Sequence, residues 1–162
     1  MNTKLTLKLD ASVIRQAKRH AHKNGRTLSA VVLDLLLARE PHYRAAVQLF
    51  ALIEEKKLDG YVSSLICANL YYLLRKAKTG RTAKAILQDL KSLLKILPVT
   101  EKTIGLALAS EFHDFEDAIQ CFAATEAGIN LLITRNKKDY ARGEIEVCTA
   151  EEFLSTFEEY GR

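Results

Sequence analysis

The chain has 162 residues, of which 48% are hydrophobic and 27% charged, with a formal net charge of +4. That length allows one domain or two small ones, and the composition excludes collagen and low-complexity disorder. The densest apolar run, Val31 to Ala38, is broken by Asp34 and falls well short of the roughly 18 residues of a membrane span, so no membrane partner is expected. Met1 to Asp10 mixes charged and apolar residues without a continuous apolar stretch, so no secretory signal is expected. Cys67, Cys121 and Cys148 lie far apart with no C-x-x-C, which suits a reducing, cytoplasmic setting.

Residues 1–27 carry seven basic residues against Asp10 alone, a balance of +6. The other 17 basic and 19 acidic residues leave the remainder at −2. A basic head on a mildly acidic body points to a polyanion partner for the head, although a solvated helix face has the same composition.

In chain order, Leu5, Leu7 and Leu9 alternate with Lys4, Thr6 and Lys8, which predicts a half-buried strand. Asp10 stands as the N-cap of a first helix, stopped by Asn24-Gly25. A second helix runs from Thr27 to about Arg39, apolar nearly all round and relieved only by Asp34, so it needs cover on several sides. Further helices are predicted over Tyr43–Lys56, Leu65–Lys78, Arg81–Leu94, Thr100–Ser110, Asp114–Gly128 and Thr149–Tyr160. Short strands are predicted at Tyr61-Val62, Ile96–Val99, Ile129–Thr134 and Ile145–Cys148. Strands alternating with helices imply a parallel sheet flanked by helices, hence an α/β fold.

The predicted first strand leaves its amides unpaired and its leucines uncovered unless it pairs, and pairing with a second copy would form an antiparallel ribbon. Such a ribbon fits the major groove of DNA. M-N-T-K-L-T-L-K-L-D, then a helix, G-R-T-L-S and a second helix, resembles the ribbon-helix-helix antitoxins of bacterial toxin–antitoxin operons. The resemblance implies a homodimer bound to operator-like DNA, with base contacts from Lys4, Thr6 and Lys8 and phosphate contacts near Thr27 and Ser29. An edge strand protected by lysines is the alternative reading of the same residues.

In the body, Asp114 and Asp117 open a helix three residues apart and share a face. Asn136 and Asp139 follow an apolar strand, in the loop beyond its carboxyl end, where open α/β sheets place their sites. Converging carboxylates there could hold Mg²⁺ or Mn²⁺. H-D-F-E-D-A-I-Q-C-F-A-A-T-E-A-G-I-N-L-L-I-T-R-N-K-K-D-Y looks like the C-terminal half of a PIN-domain ribonuclease. V-V-L-D-L-L-L-A-R-E-P-H-Y-R-A-A and S-S-L-I-C-A-N-L-Y-Y-L-L-R-K extend that resemblance. It implies a metal-dependent ribonuclease site with Asp117 and Asp114 as metal ligands and Asn136 and Asp139 as further site residues. Helix capping explains Asp114 and Asp117 equally well, and a polar turn explains R-N-K-K-D.

The chain departs from the PIN pattern at its start. A PIN domain opens on a buried central strand ending in aspartate, and here G-R-T-L-S-A precedes V-V-L-D-L-L-L instead. Asn69 stands near where a glutamate is expected. The expectation is therefore a ribbon-helix-helix unit at 1–38 fused to a truncated PIN-like domain at 39–162, lacking its first strand and impaired as a nuclease. The alternative is an active Mg- or Mn-dependent ribonuclease in which L-T-L-K-L-D-A-S-V-I supplies the missing motif and Asp10 the first acid, with Asp34 a further candidate.

Overall fold

The computed structural model describes residues 27–160, apart from Leu37, Lys78 and residues 141–143. The strand predicted within Met1–Asp10 and the helix after it lie outside the described residues, as do Lys4, Thr6, Lys8 and Asp10. The described elements are α1 (Thr27–Leu36), α2 (Tyr43–Glu54), β1 (Gly60–Ser63), α3 (Ser64–Ala77), α4 (Gly80–Leu93) and β2 (Leu94–Leu97). They continue with α5 (Glu101–Ala109), α6 (Phe115–Glu126), β3 (Leu131–Ile133), a 3₁₀ turn (Lys137–Tyr140), β4 (Glu146–Cys148) and α7 (Ala150–Tyr160). No described helix is long and apolar enough to cross a membrane.

The α/β alternation holds, but the expected parallel sheet is divided. β1 pairs with β2 from Gly60↔Leu94 to Ser63↔Leu97, and β3 pairs with β4 from Leu131↔Glu146 to Ile133↔Cys148. Both pairs are parallel, and no described strand joins them. Residues 59–63 and 129–133 line one cavity of about 440 Å³ between the two pairs.

Helices cover both faces of the β3–β4 pair. Leu132 packs in a cluster with Cys121 and Ala124 of α6, while Ile133 packs against the main core, to which α7 contributes Ala150 and Leu154. Neighbouring strand residues point to opposite faces, so α6 and α7 lie on opposite sides. The main core joins α1, α2, α3 and α4 to Val62 and Leu94.

Several boundaries move for local reasons. α4 runs directly into β2, which spans Leu94–Leu97 rather than Ile96–Val99. Leu94 is buried opposite Gly60, and Pro98 has no amide with which to prolong a ladder. α1 ends at Leu36 instead of near Arg39, because Ala38 turns left-handed at φ 46° and the Arg39 amide donates back to the Asp34 carbonyl. α6 stops at Gly128, whose φ of 70° suits glycine, with the Ile129 amide donating to the Ala124 carbonyl. The predicted capping box at Thr149 and Glu152 is present: the Thr149 amide donates to Glu152 Oε2 at 2.9 Å, and the Glu152 amide to Thr149 Oγ1 at 3.1 Å.

Candidate active site

The acidic residues gather around the carboxyl end of β3, brought there by α1, α3, α6 and the loop after the strand. Asp114 caps α6, its Oδ1 accepting from the amides of Glu116 (2.8 Å) and Asp117 (3.1 Å). Capping satisfies two free amides and sets a negative charge against the helix dipole. Asp117, 2% exposed, faces inward, and the Tyr140 hydroxyl donates to its Oδ1 at 2.8 Å. Asp114 and Asp117 thus share the start of one helix but meet different partners.

The loop beyond β3 is ordered by short-range bonds. The Asn136 amide N–H donates to Thr134 Oγ1 at 3.0 Å, and the Asn136 side chain donates to the Asp139 carboxylate. Lys138 and Asp139 belong to the 3₁₀ turn, which carries Tyr140 into the buried cluster below. Tyr140 therefore ties this loop to α6, a role its position in the sequence did not suggest. Asn69 on α3 donates to Glu116 Oε1 at 3.0 Å, so the position where a carboxylate was expected serves as a donor to one.

Asp34 overturns its reading as the polar relief of an apolar helix. It is 1% exposed, between the guanidinium groups of Arg39 and Arg135, each at 3.6 Å. Burial pushes its pKa up, opposed by Arg135 and Arg39, and burial also lowers that of Arg39. Asp34 Oδ1 and Arg39 Nη1 are buried without a hydrogen-bond partner. The pair is close enough for attraction but too long for hydrogen bonds. Thr27 and Ser29 fall in the first turn of α1.

These donors do not fit a divalent cation. A hard ion needs several oxygens directed at one point. Asp34 faces two arginines, Asp114 accepts from two backbone amides, Asp117 accepts from Tyr140, and Asp139 accepts from Asn136. No three histidine, cysteine or carboxylate side chains converge on a metal-sized point among the described residues.

The PIN-domain sequence profile matches residues 29–138. The chain belongs to the PIN-domain family. A relative of this PIN domain, ribonuclease VapC1 of Aquifex aeolicus (strain VF5), is 30% identical over 131 residues, covering 76% of this chain and 88% of the relative. No solved structure matches. The family match begins inside α1 and takes in Asp34, Asp114, Asp117 and Asn136, ending before Asp139. The PIN domain here thus keeps the helices and outer strands of its site, with a cavity at the middle of its sheet.

Proposed function

We propose that this protein is a toxin–antitoxin-type hybrid, with a dimeric ribbon-helix-helix head at residues 1–38 that binds operator-like DNA. Its PIN body, 39–162, descends from a ribonuclease toxin but does not form a self-sufficient ribonuclease centre from its described residues. The observation that carries this reading is the commitment of Asp34, Asp114 and Asp117 to arginine, backbone and tyrosine partners. Likeness to a VapC ribonuclease supports the toxin ancestry, and the +6 charge of residues 1–27 supports the DNA-facing head.

Two assays test it. RNA incubated with the full chain and added Mn²⁺ or Mg²⁺ should show no cleavage that depends on Asp117. Cleavage lost in both Asp117→Asn and Asp10→Asn would overturn the impaired reading and establish an active ribonuclease with Asp10 as its first acid. Gel shifts with duplex DNA at low salt should show binding that weakens with salt, at a log–log slope of about −0.9 per phosphate contacted. Absence of any shift at low salt would remove the DNA-binding head.

A further inference from the structure

We propose that the cavity between β1 and β3 is a slot for one extended strand, and that the strand is Lys4–Asp10 of the same chain. β1 hydrogen-bonds along one side to β2, and β3 along one side to β4. The opposite edges of β1 and β3 both border the cavity. Two parallel edges bordering one apolar cavity form a template for strand addition, which would pair the backbone groups on both.

Length and chemistry select the occupant. β1 has four residues and β3 three, so the slot seats a strand about 10 to 13 Å long. Its linings differ in character. Val32, Phe50 and Phe153 come from α1, α2 and α7, whereas α6 contributes the smaller or polar Ala124 and Gln120. L-T-L at residues 5–7 matches this asymmetry, with Leu5 and Leu7 directed to the apolar side and Thr6 to the α6 side. Lys4 and Lys8 flank that tripeptide, so their aliphatic stems line the two ends of the slot while the ammonium groups reach out.

Reach does not forbid the arrangement. Sixteen residues, 11–26, separate Asp10 from Thr27 at the start of α1, and Val31 and Val32 of α1 line the slot. Even as a continuous helix those residues span about 24 Å, longer than the slot. A strand tethered this closely acts at a millimolar effective concentration, which favours the chain's own segment over one from a second copy. The inference goes beyond the DNA-binding reading. The same leucines serve the ribbon and the slot, so one chain cannot occupy both at once.

The test uses the full chain with Cys67, Cys121 and Cys148 replaced by alanine and with Thr6→Cys and Ala124→Cys introduced. Mild oxidation should give a disulfide within the monomer on a non-reducing gel. A disulfide between chains would overturn the proposal in favour of strand exchange, and no disulfide in a folded chain would overturn it outright. A second measurement needs no cysteine changes. In Leu5→Asp/Leu7→Asp, backbone amides of β1 and β3 should exchange with deuterium about tenfold faster than in the unsubstituted chain. Unchanged exchange there overturns the proposal. DNA binding is read by gel shift alone, so its failure and the failure of the slot are distinguishable.

Discussion

Asp34 and its two arginines carry charge into a core otherwise built from valines and leucines. Separations of 3.6 Å supply attraction but no hydrogen bond, and burial works against the charged forms of both Asp34 and Arg39. Removing one member strands the other, which in buried pairs is costlier than removing both. Asp34→Ala should therefore lose about 3 kcal/mol in urea unfolding, near the low end for a broken buried pair because Arg135 is partly solvated. Asp34→Leu combined with Arg39→Met should lose much less than the two single losses added, a coupling that a double-mutant cycle reads directly. Cys148 makes a second residue-scale case. Burial, with Glu152 and Glu146 nearby, pushes its thiol up to about 11 from an ordinary 9.0. At pH 8 its thiolate fraction is then about a hundredfold below that of an unfolded chain, so iodoacetamide labelling should slow by about that factor and recover in denaturant.

Among the elements, helix ends were the most legible in the sequence because their signals are local. Asp114, Thr100 and the Thr149–Glu152 box act where the spacing places them. The partners that cross between elements were not legible. Thr100 and Thr103 cap α5, and both hydroxyls also donate to Glu126 at the end of α6. The Thr103 bond is the largest influence holding the Glu126 carboxyl below its ordinary 4.5. A carboxyl depressed in the folded state stabilises fully above its unfolded value and loses that contribution as pH falls through its folded value. The melting temperature of the unsubstituted protein should exceed that of Glu126→Gln at pH 7, and the gap should close below about pH 4.5 in a thermal titration. An equal gap at pH 3 would show that the carboxylate charge is not what holds α5 to α6. β2 was misplaced for a related reason: an apolar run beside Pro98 marks a strand, but only its pairing with Gly60–Ser63 fixes which residues form it.

For the molecule as a whole, charge and fold divide along the chain. The +6 at residues 1–27 makes duplex binding by the head a question of phosphate neutralisation, so Lys4→Ala with Lys8→Ala should weaken binding and flatten its salt dependence. Undiminished binding at every salt concentration would move the contact elsewhere. The sequence by itself determined the α/β class, the cap residues, the basic head and the departure from the PIN opening motif, because composition, periodicity and capping act over a few neighbours. Tertiary structure alone decided the rest. It joined Asp34 to Arg135 across 101 positions, set Tyr140 on Asp117, turned Asn69 into a donor for Glu116, and left two parallel strand pairs facing one cavity. Such contacts depend on which elements pack together, and no local pattern encodes the distance between two sheet edges.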